Sequence, residues 1–443
     1  MQHVNISQLL KELSDLSESE INIDNFLKEI DVFNLASIDQ LRKACGNERQ
    51  AKAILLKISN VAIGKYQYLR GHSRLIAKPF GLIVDPCNAC PLACPGCIHR
   101  KTNSDQSNID WVAGYLSQNT LDQLLNKFGP YAINTQYFNW GEPLLNKNTP
   151  QYIRESRRFL MRTSISSNFS VPFCAEALVA SGLDYLVVSL DGATADTYNK
   201  YRINGNFELV LSNISNVVEA RRKLKSKTPY LVWQFLLFDH TQAEADLAEQ
   251  IAERIGVDKI NFAQPYDVSR YNAAINLPEK SLVRHRVFNM QIGSAQQSLA
   301  NAIADLHPNI DEQWEILWQS QIVDCHTEHR DSTTCRWLYQ DMVMDATGRI
   351  LPCCFDPIRE PTSIFGNIHT DIDPFNSINY LTSRKYFSRQ RRIAHATACA
   401  ACTENNSTPN INTTHLAPYF FYAGLTKNCF EDLANSNIFN WGD

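Results

Sequence analysis

Four cysteines fall within Val84-Asp-Pro-Cys-Asn-Ala-Cys-Pro-Leu-Ala-Cys-Pro-Gly-Cys97, and the last three, Cys90, Cys94 and Cys97, have the spacing Cys-x3-Cys-x2-Cys. Three thiolates on one short loop can bind three irons of a [4Fe–4S] cluster, which leaves the fourth iron open to a small-molecule ligand. Zinc is the alternative at this point, because Cys87 lies just upstream and would complete a set of four thiolates. The following motifs favour iron.

The composition narrows the class of protein. The chain has 443 residues, a formal net charge of −4 and 13 cysteines. This length predicts one large catalytic domain with smaller additions at both ends, and the charge provides no field that attracts nucleic acid. No stretch has the pattern of a signal peptide or the ~20 apolar residues of a membrane helix. We therefore expect a cytoplasmic protein whose cysteines bind metal and do not form disulfides.

The sequence divides into five predicted segments. Residues 76–270 form the catalytic domain, between a helical N-terminal domain at 1–75 and a polar helical bridge at 271–330. A second cysteine region at 331–405 and a tail at 406–443 complete the chain. In the N-terminal domain, positions 40–75 hold eight bases against one acid. This asymmetry favours a helical cap with a solvated face, and a docking surface for an acidic peptide or carrier is the alternative.

The catalytic segment alternates short apolar runs with helical patterns in about six β/α units. Among them, Ala132–Trp140 and Tyr185–Ser189 are predicted strands and Phe207–Lys223 is a predicted helix. Such alternation predicts a parallel sheet with helices outside, in the form of a partial (βα)6 barrel of the α/β class. Ligands of these folds bind at the carboxyl ends of the strands. Four motifs follow successive predicted strands: the cysteine loop, Asn139-Trp-Gly-Glu-Pro143, Ser166-Ser-Asn168 and Ser189-Leu-Asp-Gly192.

These motifs, in this order, resemble those of radical S-adenosylmethionine (SAM) enzymes. Cys90, Cys94 and Cys97 match the cluster motif of that superfamily, and Asn139-Trp-Gly-Glu-Pro143 is similar to its Gly-Gly-Glu motif, with a tryptophan in place of the first glycine. One departure is Gly96, where the family usually has an aromatic residue near the adenine. The resemblance implies that SAM is bound by a set of residues from the four motifs and the helix that follows the last one: Gly141, Glu142, Ser166, Asn168, Ser189, Asp191 and Arg202.

The chemistry of these side chains agrees with that implication. Glu142 can accept a hydrogen bond from the SAM amine, and Arg202 can pair with the SAM carboxylate. Taken alone, Glu142 is also a plausible helix-start carboxylate, and Ser189 and Asp191 are ordinary turn residues. The resemblance further implies reductive cleavage of SAM to a 5′-deoxyadenosyl radical that abstracts a substrate hydrogen atom, with electrons from a flavodoxin- or ferredoxin-type donor.

A second set of cysteines lies in the segment 331–405. Cys335 and Cys353 flank Asp345-Ala-Thr-Gly348, which predicts a hairpin between Met342–Met344 and Arg349–Leu351. With Cys399-Ala-Ala-Cys402, the spacing resembles the SPASM or shorter twitch extension of radical SAM enzymes. This resemblance implies one auxiliary [4Fe–4S] cluster on Cys335, Cys353, Cys399 and Cys402. A structural zinc on the same four thiolates is the alternative.

Together the motifs imply a radical SAM oxidoreductase or maturase that oxidatively modifies a peptide or protein substrate. Two alternatives remain from the sequence: a dehydrogenase of a sugar or aminocyclitol in secondary-metabolite or polysaccharide biosynthesis, and a zinc-stapled binding module without enzymatic activity. No residue of the sequence identifies the acid or base that acts on the substrate, and no membrane or nucleic-acid partner is expected.

Overall fold

The computed structural model describes residues 71–95, 97–99, 113–159, 161–265, 276–278, 282–289, 335–354 and 363–388, together with Lys57, Asn60, Gly64, Gln67, Tyr68 and Cys399. Gly96, Cys402, the tail 406–443 and most of the predicted N-terminal domain and bridge lie outside the described residues. No helix among the described residues is both long and apolar enough to cross a membrane.

One sheet of ten strands organises the described part of the chain. The strands are β1 (Gly81–Val84), β2 (Asn134–Gln136), β3 (Arg162–Ser167), β4 (Tyr185–Ser189), β5 (Tyr230–Leu236), β6 (Lys259–Ala263), β7 (Arg284–Val287), β8 (Asp341–Met344), β9 (Arg349–Leu351) and β10 (Gly366–Asn367). Their order is β10-β9-β8-β1-β2-β3-β4-β5-β6-β7. Strands β1 to β6 run parallel in sequence order, which is the predicted α/β partial barrel.

Helices connect the parallel strands. They are α1 (Gln118–Phe128), α2 (Thr149–Arg158), α3 (Ala175–Ala180), α4 (Ala195–Tyr201), α5 (Phe207–Lys223) and α6 (Ala245–Ile255), followed after the sheet by α7 (Trp337–Gln340) and α8 (Ile378–Ser388). Local sequence explains their ends. The Ser117 side chain accepts the Thr120 amide at the start of α1, the Asn206 side chain accepts the Leu209 amide at the start of α5, and Gly256 ends α6 with a φ of 84°.

The two faces of the sheet differ. One face of β4 buries Leu186 and Val188 in the main hydrophobic core, which also contains apolar residues of α3, α5 and α6. The opposite face of the same strand carries Tyr185, Val187 and Ser189, which are only half-buried. We call this second face, which the helices named above do not cover, the inner face. Because side chains alternate along each strand, positions paired with these three residues on neighbouring strands share the inner face.

Most predicted elements lie where expected, and β4 and α5 coincide with their predictions. Strand β2 is shorter than the predicted Ala132–Trp140. Its chain leaves the sheet early because the Tyr137 hydroxyl is bound by α2, at 2.6 Å from Ser156 Oγ, and because the Trp140 amide donates to a carboxylate of Asp85.

The helical prediction for residues 271–330 was wrong at β7. This strand pairs antiparallel with β6, and its two arginines form ion pairs with α6. Arg284 contacts Asp246 and Glu249, and Arg286 contacts Glu249 and Glu253. A polar edge strand held by ion pairs has none of the apolar alternation that sequence patterns detect.

The predicted C-terminal hairpin is present and extends the same sheet. Strand β8 pairs parallel with β1 and antiparallel with β9. Hydrogen bonds continue beyond the strands, since Asp85 donates its amide to Met344 O at 3.0 Å and Ala346 donates its amide to Asn88 Oδ1 at 3.0 Å. The C-terminal region therefore shares a strand pair with the loop that carries the first cysteines.

Candidate active site

The cysteine loop follows the carboxyl end of β1. Cys94 is buried and Cys90 and Cys97 are half-buried, in a cluster with Tyr201 and Phe238. Burial raises the pKa of the Cys90 thiol to about 12 and that of Cys97 to about 11. Binding of iron must therefore displace protons from these thiols, as metals do at cysteine sites.

Two hydrogen-bond donors approach the sulfurs of this loop. Asn168 Nδ2 lies 3.5 Å from Cys90 Sγ, and Arg202 Nη1 lies 3.8 Å from Cys94 Sγ. Both donors come from motifs that follow later strands. Donors of this kind stabilise thiolate ligands and tune the cluster that they hold.

Cys90, Cys94 and Cys97 fit the thiolate ligands of a [4Fe–4S] cluster, because such a cluster gives each thiolate its own iron. Within the described ranges, no group of three or more His, Cys, Asp or Glu side chains is arranged to hold a single metal ion. Cys87 is bonded within its own loop, where its sulfur accepts the Ala89 amide at 3.3 Å.

The Asn139–Pro143 loop lies directly on the cysteine loop. The buried Asp85 carboxylate accepts the amides of Trp140 at 3.1 Å and Gly141 at 3.3 Å, and the Glu142 amide donates to Ala89 O at 2.8 Å. A Cβ at Gly141 would lie 1.6 Å from Cys87 O, so this position requires glycine. Sequence reasoning missed Asp85, and its only signal was a carboxylate directly after an apolar strand.

Glu142 joins the second motif to the third. It is buried, and its carboxylate accepts the Ser167 hydroxyl at 2.7 Å, the Leu144 amide at 3.0 Å and the Asn168 amide at 2.9 Å. Burial raises the pKa of Glu142 against the effect of these donors. A carboxylate has about four acceptor positions, so a further donor such as an amine can still bind.

Asp191 and Arg202 form a buried ion pair in which Arg202 Nε lies 2.5 Å from Asp191 Oδ2. The other oxygen of Asp191 accepts the Leu236 amide at 2.7 Å. Burial opposes the charge of Arg202, but Asp191 raises the pKa of the guanidinium well above its usual value. Asp191 accepts one protein donor on each oxygen and orients a permanent cation, whose Nη2 has no hydrogen-bond partner within the described ranges.

Several polar groups near these motifs have spare hydrogen-bonding capacity. Ser166 and Ser189 lie half-buried on the inner face, and neither hydroxyl has a hydrogen-bond partner in the described part of the chain. Asn139 Nδ2, Trp140 Nε1 and His240 Nε2 are buried donors or acceptors without a partner among the described residues. Buried polar groups are normally satisfied, so this set fits a polar ligand such as SAM.

Three cysteines of the second set interact with tyrosines that pack on a buried cation. Arg384 is fully buried, and its Cζ lies 5.5 Å from the Tyr339 ring centre and 5.0 Å from that of Tyr380. Cys335 interacts electrostatically with Tyr339, and Cys353 and Cys399 do so with Tyr380. Three of the four predicted ligands thus lie around one Tyr–Arg–Tyr group, and Cys402 lies outside the described residues. Cys354 points elsewhere, to the cluster of Ile83 and Val343.

Known families match both cysteine regions. Residues 84–235 match the radical SAM superfamily, and residues 335–403 match SPASM, an iron–sulfur cluster-binding domain. These two matches contain all seven cysteines predicted to bind iron. They also contain the SAM-contacting residues predicted from the four motifs.

Individual relatives are more distant. The chain is 22% identical over 213 residues to the PqqA peptide cyclase of Granulibacter bethesdensis, which covers 46% of this chain and 53% of the cyclase. It is 32% identical over 103 residues to the GTP 3′,8-cyclase of Lactiplantibacillus plantarum, which covers 23% of this chain and 31% of that protein. The chain thus spans about half or less of these curated relatives.

Among solved structures, Streptococcus suis SuiB bound to the precursor peptide SuiA aligns with a TM-score of 0.48 and 13% identity, over 92% of this chain and 86% of SuiB. The two family matches and the order of motifs on parallel strands agree with each other. This chain is therefore a member of the radical SAM superfamily with a C-terminal SPASM domain, and these domains bind SAM with a [4Fe–4S] cluster and an auxiliary iron–sulfur cluster.

Proposed function

We propose that this protein is a radical SAM enzyme that oxidatively modifies a peptide or protein. Cys90, Cys94 and Cys97 would hold the first cluster, which together with SAM would supply the radical chemistry that removes a hydrogen atom from the substrate. Removal of one further electron by the auxiliary cluster would make the outcome a net two-electron oxidation. The alternative of a non-enzymatic zinc-binding module is disfavoured, because both cysteine regions match families defined by iron–sulfur chemistry.

The observation that supports this function most strongly is the position of the two cysteine sets at opposite ends of one strand pair. Cys90, Cys94 and Cys97 follow the carboxyl end of β1, and Cys353 follows the hairpin strand β9, which returns antiparallel to β8 and so ends near the amino ends of β8 and β1. A substrate on the inner face along these strands would lie between the two sets. Electron transfer between a substrate radical and an auxiliary cluster requires this proximity.

The residues of the chain would divide the binding of SAM among them. Arg202 would pair with the SAM carboxylate through its unused Nη2, while Asp191 holds the guanidinium in place. Glu142, already fixed by three donors, would accept from the amine, and Ser166 and Ser189 would bond to ribose hydroxyls. Tyr201 and Phe238, whose ring centres are 4.4 Å apart, provide an apolar surface beside Cys94 in place of the aromatic residue that Gly96 lacks.

A peptide is the favoured substrate because the PqqA peptide cyclase matches this chain over the longest stretch of the relatives above. The experiment begins with protein purified and reconstituted without oxygen, incubated with SAM and dithionite. We expect a brown protein that releases 5′-deoxyadenosine. The triple variant C90A/C94A/C97A should release none, while Cys174→Ala, at an exposed cysteine, should match the wild type.

The same assay separates the substrate classes. Candidate peptides encoded near the gene, and aminocyclitols or sugars, are added in turn, and the products are followed by mass spectrometry. A peptide that loses two hydrogens in a SAM-dependent manner supports the proposal. Turnover of an aminocyclitol alone would replace the peptide assignment, and a colourless protein with stoichiometric zinc would end the enzymatic one.

A further inference from the structure

A row of polar side chains crosses the inner face from β4 to β7. Ser189, Gln234, Asn261 and His285 occupy paired positions on the four strands. Within the row, Asn261 Nδ2 donates to Gln234 Oε1 at 2.8 Å. The row begins at the predicted ribose contact Ser189 and ends at His285, which is exposed on the edge strand. A ligand entering at that edge would therefore meet polar groups all the way to the SAM site.

Lys259 lies one pleat away from this row on the same face. Its paired neighbours are Val232 on β5 and Val287 on β7, so the aliphatic part of the lysine side chain is flanked by apolar side chains. The residue is only 1% exposed. In the part of the chain that the structure describes, it has no hydrogen bond and no ion pair.

The carboxylate next to Lys259 in sequence does not neutralise it. Asp258 is engaged by Arg221 Nη1 at 2.5 Å and by the Leu231 amide at 2.7 Å. A buried ammonium without a counterion is costly, because buried charges in proteins are normally paired or neutralised by a shifted pKa. An anionic ligand would supply the missing partner. An unsatisfied cation on the inner face, two positions from a polar row, is therefore a binding feature that the SAM contacts do not use.

The charges around Lys259 favour an anionic ligand near neutral pH. Burial lowers the pKa of Lys259 to about 8, so the side chain is still mostly protonated. Burial and the charge of Lys259 both lower the pKa of His285, so the imidazole is neutral. The site thus presents one positive charge beside neutral hydrogen-bonding groups, which suits a carboxylate.

We propose that Lys259, with the Asn261 amide and the His285 imidazole beside it, binds a carboxylate of the substrate and so fixes its position on the inner face. The carboxylate belongs to an acidic side chain or to the carboxyl terminus of a peptide, and this identification rests on the proposed function. The anion site itself does not, because it is defined by side chains that make no contact with the cysteines.

The first test locates the anion directly. Crystals of the full-length reconstituted protein are soaked in sodium bromide, and bromide is found by its anomalous scattering. We expect bromide at hydrogen-bonding distance from Lys259 Nζ in the wild type and in Lys227→Met, an exposed lysine control, and its loss in Lys259→Met. Absence of bromide at Lys259 in the wild type would overturn the proposal.

The second test identifies the source of the carboxylate in solution. Acetylation of Lys259 by an amine-reactive ester is quantified by mass spectrometry in the presence of N-acetylglutamate N-methylamide, N-acetylglycine or N-acetylglutamine N-methylamide. We expect a carboxylate compound to slow the acetylation of Lys259 in a saturable manner, and the glutamine compound to leave its rate unchanged. Slowing by the glutamate compound assigns an acidic side chain, and slowing by N-acetylglycine assigns a carboxyl terminus. Equal protection by all three, or by none, contradicts the proposal.

The two proposals can fail separately. Release of 5′-deoxyadenosine without substrate tests the enzymatic function, and Lys259→Met should leave it unchanged because Lys259 touches neither cysteine region. If wild-type protein binds bromide and is protected but releases no 5′-deoxyadenosine, only the enzymatic function fails. If it releases 5′-deoxyadenosine but neither binds bromide nor is protected, only the anion site fails.

Discussion

Replacing Arg202 with methionine removes the cation from a buried ion pair while keeping most of the side-chain volume. Asp191 is 0% exposed, and removing one partner of a buried pair costs about 3–5 kcal/mol of stability. Loss of the proposed charged hydrogen bond to the SAM carboxylate adds a functional cost of about 1.5–3 kcal/mol. That corresponds to SAM binding weakened about 10- to 150-fold.

The chain contains a matched control for this change. Arg221 forms the same kind of pair with Asp258, with side chains 12% and 5% exposed. This pair lies at the amino ends of β5 and β6, away from the cysteines. Arg221→Met should therefore reduce stability by a similar amount and leave SAM affinity intact.

The assay combines urea unfolding with calorimetric titration of SAM into reconstituted protein under anaerobic conditions. In Arg202→Met the pKa of Asp191, already raised by burial from 3.8, rises further. A carboxyl whose folded pKa is raised loses stability as the pH increases above its unfolded value. The stability deficit should therefore be small near pH 4 and grow toward pH 7. Equal loss of SAM affinity in both variants, or none in Arg202→Met, would refute the reasoning.

Three further predictions concern other parts of the site. Gly141→Ala places a Cβ 1.6 Å from Cys87 O, so it should lower the free energy of unfolding by about 1–3 kcal/mol or more and reduce the iron content of the protein. Full iron content at an unchanged melting temperature would contradict this. Burial raises the pKa of Asp85 from 3.8 to about 7, so the unfolding free energy of the wild type should fall between about pH 4 and pH 7, whereas that of Asp85→Asn should change less with pH. A difference in unfolding free energy between the two proteins that does not vary with pH would count against this. Cys399→Ala should lower the iron content from about eight to about four per chain without stopping SAM cleavage, whereas Cys174→Ala should keep both; loss of SAM cleavage in the first would mean that the two clusters are not independent.

The sequence predicts the sheet of this protein because its strands and helices bury one face each. The alternation in Tyr185–Ser189 and the helical periodicity in Phe207–Lys223 are direct consequences of that burial, and both elements were placed to the residue. The order of motifs then fixes the site at the carboxyl ends of the strands. Strand β7 could not be found in this way, because its stability comes from arginines that contact acids of α6, which are distant in sequence.

The site residues show a similar division. The types and spacing of Cys90, Glu142 and Arg202 are visible in the sequence, because their chemistry requires them. Their remaining hydrogen-bonding capacity is not, since it depends on partners that only the fold brings close. The role of Asp191 as a SAM contact stays a prediction, and the fold adds that each of its oxygens already accepts from one protein donor. Lys259 cannot be distinguished by sequence, because a lysine in a strand has no special pattern and only the fold shows that it lacks a counterion among the described residues.

Electron paramagnetic resonance of the reduced protein, with and without SAM, tests the central claim most directly. If one iron of the cluster on Cys90, Cys94 and Cys97 has no protein ligand, SAM should bind to it and change the g values of that cluster's signal. The auxiliary signal, isolated in the C90A/C94A/C97A variant, should not respond to SAM. A wild-type spectrum that is identical with and without SAM, or a protein with no reducible cluster, would contradict the account.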